Sequence, residues 1–206
     1  IFWELVNSNK VLFLVAIAAI VWGFEKYMIG KYWGDYLLGL FSMHYMFSFV
    51  VLSSLLVSFM NVFFPASISE KTSLKVIESK VLKLFIFVLP VWLIGDFLGQ
   101  VIVFKFMIRS YPFEFINVFL FAVTSFLYFV FSTYNMLLNI TRPAVSSIAY
   151  LISILAIITI IPVTHSISLY LTGQALIYLV ASCILRFNLL KSIALHKSPP
   201  LSPQKA

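Results

Sequence analysis

"VLPVWLIGDFLGQVIVFK", Val88 to Lys105, decides the fold, because one carboxylate, Asp96, interrupts an otherwise apolar run too long for a soluble core strand. What surrounds that charge is set by the rest of the chain. Of 206 residues, 62% are hydrophobic, 17% aromatic and only 10% charged, with a mean hydropathy of +1.06. A water-soluble domain of this size does not carry such values. The solvent for Asp96 is therefore a lipid bilayer, and the fold class is an all-α polytopic membrane protein.

A helix needs roughly 20 mostly apolar residues to cross a hydrocarbon core about 30 Å thick. Six runs meet that requirement, at about 11–29, 36–64, 81–104, 115–140, 143–163 and 166–187. They are continuous rather than alternating, and much longer than the roughly 10 residues of a barrel strand. Pro65 closes the second, and Pro143 stands where a first-turn proline starts the fifth. Residues 1–190 thus form one six-helix unit. Between the second and third runs, "ASISEKTSLKVIESK" carries Glu70, Lys71, Lys75, Glu78 and Lys80 at helical spacing, and is expected along the membrane surface. Residues 191–206, rich in Pro, Ser and Lys, are expected to form a disordered tail. The chain opens on Ile1 without a basic region and cleavage site, and is expected to be a fragment.

Positive charge marks the cytoplasmic side of a membrane protein. One side collects Lys10, Lys71, Lys75, Lys80, Lys83, Arg142, Arg186, Lys191, Lys197 and Lys205; the other holds Lys26, Lys31, Lys105 and Arg109. Both termini are expected on the cytoplasmic side. The net charge of +7 reads as a topology signal and contact with anionic lipid heads, not as a nucleic-acid surface, since no basic stripe is interleaved with exposed aromatics. Cys183 is the single cysteine, so no intrachain disulfide forms.

Catalytic constellations are missing from the inventory. His44, His165 and His196 belong to different segments, and HExxH, CxxC, GxSxG and phosphate-loop patterns do not occur. "IGD" at Ile94 to Asp96 is near the Gly-x-Gly-Asp motif of intramembrane aspartyl proteases, but Leu93 replaces the first glycine. The chemistry also needs two carboxylates sharing a proton, and Asp35, the other aspartate, sits in a loop near the opposite end of a helix. An enzyme is not expected.

"FEKYMIGKYWGDYLLGLFSMHYMFSFVVLSSLLVSFMNVFFPASISE" resembles the seventh and eighth helices of bacterial polysaccharide flippases, the Wzx-like proteins of the multidrug/oligosaccharidyl-lipid/polysaccharide exporter superfamily. The matches are Glu25 and Lys26, then Gly39, Leu40, Phe41 and Ser42, then Pro65. "FMIRSYPFEFINVFLF", with Tyr111, and "NMLLNITRPAVSSIAYLISILAIITIIP" are similar to their later helix connections. The resemblance covers the chain to about Leu190. It implies the C-terminal six-helix lobe of a two-lobe protein that moves undecaprenyl-diphosphate-linked oligosaccharide from the cytoplasmic to the periplasmic leaflet of the bacterial inner membrane by alternating access, in O-antigen and lipopolysaccharide biosynthesis. The implied partners are that lipid-linked oligosaccharide, membrane lipids, the N-terminal lobe of the same protein and the polysaccharide polymerase machinery, with no nucleic acid. No cofactor is implied beyond proton or sodium coupling. A cation-coupled multidrug exporter of the same superfamily and a non-transporting scaffold subunit are the alternatives.

A sugar-diphosphate head needs a polar route across hydrocarbon. On the fourth helix Thr124, Tyr128, Ser132, Asn135 and Asn139 share one face, and on the sixth Tyr170, Gln174, Tyr178 and Ser182 do the same. Such stripes either line a wet crevice or bond dry across helix contacts. Cations for a diphosphate are not found mid-helix: Lys26, Lys105, Arg142 and Arg186 lie near helix ends, where they snorkel, so the main phosphate clamp is expected in the other lobe. Asp96 lies about 4 Å to the periplasmic side of its helix midpoint at roughly 1.5 Å per residue. Trp92, Gly99 and Gln100 are on its flank. A charge there costs at least about 2.5 to 3.5 kcal/mol unless protonated, paired or wetted. Two readings stand, a coupling group and a structural donor at a close helix contact allowed by Gly95 and Gly99. Glu25, in a helix that the resemblance places at the cavity, is the carboxylate expected to meet water or substrate. His44 is expected to be a hydrogen-bonded structural histidine.

Overall fold

The computed structural model describes residues 23–51, 54, 74–107 and 111–195. Expectations for 11–22, for most of 51–64, for the surface segment up to residue 73 and for 196–206 lie outside the described residues. Among the described residues all regular structure is helical. Helix α1 covers 23–33 and α2 covers Asp35–Tyr45, running on as a π-helical turn, Met46–Val50. Helix α3 spans Leu74–Ile102 and also ends in a π turn, Val103–Met107. Then come α4, Phe115–Thr141, α5, Pro143–Ile160, and α6, Ile167–Leu195.

Four of these helices are long and apolar enough to span a membrane, over Lys75–Phe106, Phe115–Asn139, Pro143–Ile160 and Ile167–Ala194. The outer face of α3 explains why: Ile86, Phe87, Val91, Ile94, Leu98, Ile102 and Phe106 are all exposed, while Trp92, Asp96 and Gln100 on the opposite side are buried. In water that apolar stripe would aggregate; in a bilayer it meets lipid tails. The chain is a helical membrane protein.

Single residues make two of the turns. Gly34 sits at φ 86° and ψ 169°, a backbone region open essentially to glycine. Its N–H bonds the Gly30 carbonyl at 3.0 Å, ending α1, and its carbonyl accepts from Leu38 at 3.1 Å, starting α2. The chain therefore reverses within one residue, and the sequence-based loop after residue 29 is replaced by helix to Trp33. The Trp33 indole N–H holds this hairpin against the α5–α6 connection by donating to the carbonyls of Thr164 (2.5 Å) and Ile161 (3.3 Å). Between α4 and α5 only Arg142 is non-helical, and Pro143 opens α5 as its position predicts.

Two further boundaries differ from the sequence reading. The third helix begins at Leu74, not near residue 81, because the amphipathic residues taken as a surface segment are its first turns: Ile77 and Val81 are buried, and Glu78 bonds Arg186 at 2.8 Å. The last helix continues through Leu195, past the expected tail boundary at 191, since Leu189 and Ser192 still pack inward.

Helix α4 is the centre of the bundle. It packs most extensively on α6 and also meets α3, α5 and α2. Its inner face carries Phe121, Phe131, Leu137 and Leu138, each almost fully buried. Lipid tails are as apolar as these side chains, so association rests on close van der Waals fit and on interhelical hydrogen bonds. Polar contacts therefore mark where helices are pinned: the Trp92 indole N–H reaches Ser125 Oγ at 3.1 Å and the Ala122 carbonyl at 3.2 Å, fastening α3 to α4 two residues after Pro90.

Candidate functional site

Among the described residues three carboxylates are buried; Glu78 is paired with Arg186, and the other two, Glu25 and Asp96, organise the polar interior. Glu25, on α1, is 3% exposed and accepts a short hydrogen bond from the Tyr170 hydroxyl of α6. Gln174 and Lys26 are its next polar neighbours. Lys26 places its ammonium 5.1 Å from the centre of the Tyr45 ring on α2, a cation–π distance. Tyr178 stacks near Tyr128 (5.4 Å) and Phe131 (5.5 Å) of α4, and Phe131 lies 5.9 Å from Tyr150 of α5. Glu25 thus stands at the buried end of a tract of tyrosines drawn from α2, α4, α5 and α6. The tract runs outward to Lys26, Tyr128, Ser132 and Tyr150, all half-buried. Gln174 donates to the Tyr178 hydroxyl at 3.4 Å, but its buried Oε1 has no hydrogen-bond partner among the described residues. An unused acceptor beside a carboxylate is chemically suited to a hydroxyl or a water.

The second carboxylate, Asp96, is 6% exposed and faces α2. Ser48 Oγ lies 3.0 and 2.9 Å from its two oxygens. Gln100, one turn along α3, donates from Nε2 to Asp96 Oδ2 (2.7 Å) and to Ser48 Oγ (2.8 Å), while its Oε1 meets His44 Nδ1 at 2.5 Å. His44 lies fully buried between two stacked rings, Phe104 at 4.4 Å and Phe121 at 5.0 Å. The π turn of α2 contains Ser48, and the π turn of α3 starts three residues after Gln100. Such turns inside longer helices are frequent at functional sites. Among the described residues, no group of three or more His, Cys, Asp or Glu could hold a metal ion.

All the sequence-predicted path residues but Asn139 fall into three groups. Glu25 and Lys26 share a tract with Tyr128 and Ser132, while Asp96 and Gln100 belong to the separate quartet. Thr124 and Asn135 serve helix contacts: Thr124 Oγ1 donates to the Leu171 carbonyl at 3.3 Å, and Asn135 Oδ1 accepts from Ser146 at 2.7 Å. Asn139 is half-buried further along α4. On α6 the stripe of Tyr170, Gln174, Tyr178 and Ser182 is buried as a unit, and Tyr170 and Gln174 reach Glu25. Ser48 escaped the sequence reading, and His44 was not linked to Asp96. A signal was present, since His44/Ser48 and Asp96/Gln100 are each spaced i, i+4, which puts two polar pairs on single faces of two apolar helices.

Comparison with models of protein families, with curated proteins and with solved structures finds no match for the chain.

Proposed function

We propose that the chain is a six-helix lobe of a flippase that carries undecaprenyl-diphosphate-linked oligosaccharide from the cytoplasmic to the periplasmic leaflet of a bacterial inner membrane, with the chain termini cytoplasmic. The observation that supports this reading is the tract at Glu25. A buried carboxylate, an amide with an unused acceptor and tyrosines from several helices are expensive inside a membrane and typical of a substrate or ion path. Tyrosine offers an apolar ring face and a hydroxyl in one side chain, the combination that the two sides of a sugar ring require. The lipid tail needs no protein route. Paired cations for the diphosphate belong to the second lobe, and no covalent step is involved. The polymerase machinery would receive the product.

A second reading rests on the same residues, because a carboxylate ringed by aromatic faces also fits a hydrophobic cation. Transport into sealed vesicles from cells making the protein separates the two. With undecaprenyl-diphosphate-linked oligosaccharide as cargo, Glu25→Gln should slow translocation about tenfold, the equivalent of one hydrogen bond of roughly 1.4 kcal/mol. Export of tetraphenylphosphonium with no movement of the lipid-linked sugar would favour the exporter. Movement of neither, with the protein folded, would leave a membrane scaffold and overturn the transport reading.

A further inference from the structure

The Asp96 quartet has a hydrogen-bond direction that its chemistry fixes. While Asp96 is ionised its carboxylate only accepts, so in that state the amide NH2 of Gln100, 2.7 Å from Asp96 Oδ2, must face it. Oε1 then faces His44, 2.5 Å from Nδ1. Two acceptors cannot share that contact, so Nδ1 carries the hydrogen. His44 is thereby held in the Nδ1–H tautomer, the minor form of imidazole in water, and its buried Nε2 is left as a lone pair without a partner among the described residues. One negative charge on α3 thus sets the tautomer of a ring on α2. Among the described residues, the donors that reach Asp96 are neutral.

We propose that this quartet is a one-proton switch: protonation of the Asp96 carboxylate reverses the hydrogen bonds running from α2 to α3 and moves the His44 ring hydrogen from Nδ1 to Nε2. The protons balance. Asp96 gains one from the aqueous side, and its new O–H donates to Gln100 Oε1 once the amide has turned over. The Gln100 NH2 now donates to Nδ1, whose hydrogen is released to the aqueous side while Nε2 takes one up from it, so the imidazole charge is unchanged and the net uptake is the single proton on Asp96. Nε2 then carries an N–H in place of the lone pair and still has no partner among the described residues. Gln100 and Ser48 are positioning residues in this scheme. The surrounding ionisable groups have other attachments: Glu25 of α1 is bonded by Tyr170 of α6, Lys26 lies over the ring of Tyr45 on α2, Tyr128 of α4 packs on Tyr178, and Lys105 of α3 is exposed. Toward α4 the His44 ring meets Phe121, which does not titrate. Both π turns flank the switch, so a change in its hydrogen bonds acts where the two helices already depart from α geometry.

The test needs no cargo, so its failure is distinguishable from failure of the transport reading. The full chain, in lipid nanodiscs with ¹⁵N-labelled histidine, is titrated across roughly pH 4 to 9, a range that brackets ordinary carboxyl and imidazole titration. His44→Gln identifies the His44 signals, and the infrared band of a protonated carboxyl, lost in Asp96→Asn, follows Asp96. The expected result is Nδ1–H at high pH and Nε2–H once Asp96 is protonated, with the two signals exchanging dominance over the same pH interval. Gln100→Leu should keep the carboxyl transition while His44 stays in the Nε2–H form throughout. A His44 ring that keeps one tautomer while Asp96 changes state, or an Asp96 carboxyl that never changes state, would overturn the switch.

Discussion

Glu25 and Asp96 are both buried carboxylates, yet the protein has built opposite surroundings for them. Asp96 is enclosed by short side chains from two helices, Ser48 and Gln100, with His44 behind them and phenylalanine rings on both sides of the imidazole. Glu25 is met by the Tyr170 hydroxyl of α6, and its tract continues to half-buried Tyr128 and Ser132. A closed network suits a small ion that arrives and leaves without rearranging a cavity. An open-ended one suits a larger polar partner. The two roles that the sequence left open for Asp96, coupling group and structural donor, combine in the proposed switch.

Breaking both sites at once is the strongest perturbation. The α1–α2 hairpin carries Glu25 on one arm and His44 and Ser48 on the other, and Gly34 alone joins them. Gly34→Val puts a β-branched residue in a glycine-only region, at a cost of about 3 kcal/mol. Unfolding in graded denaturing detergent should show this as the largest loss among the variants discussed, and a near-neutral result would mean that the turn relaxes. Asp96→Leu strikes one side only. It removes an acceptor shared by two donors, and at roughly 0.6 kcal/mol per hydrogen bond in a membrane bundle the loss is about 1.2 kcal/mol. Tyr170→Phe strikes the other side and removes a single bond to Glu25, about 0.6 kcal/mol, with the ring packing on Trp33 and Phe41 retained. If the Tyr170 variant proves the more damaging, Glu25 is the structural carboxylate and the comparison is inverted. Outside both sites, Arg186→Gln breaks a pair whose arginine is 41% exposed, and should cost less than about 0.5 kcal/mol and less again in high salt.

Much of this architecture was legible in the residues, for reasons that are local. Continuous apolar runs identify spanning helices, Pro143 starts α5 where its fixed φ fits a first turn, and the i, i+4 polar stripe on α6 turns out to be buried on one face. Less legible was whatever depends on partners far along the chain. Glu78 reads as a surface charge until Arg186, 108 residues away, draws it into a helix. Trp33 reads as a loop aromatic until carbonyls at Ile161 and Thr164 accept its N–H. Composition could not tell which polar residues of α4 fasten neighbouring helices, because Thr124 and Asn135 do so while Tyr128 and Ser132, one turn away, join the tyrosine tract.

If the tract at Glu25 is a polar path, it becomes wet while the Asp96 quartet stays closed. Water-borne thiol labelling tests it most directly, in sealed vesicles and with exposed Cys183 first changed to serine. Gln174→Cys should react with a charged methanethiosulfonate reagent, whereas Ser48→Cys and the lipid-facing Val180→Cys should not. A Gln174→Cys variant as inert as Val180→Cys, in a protein that is folded and in the membrane, would contradict it and leave both carboxylates as dry fastenings between helices.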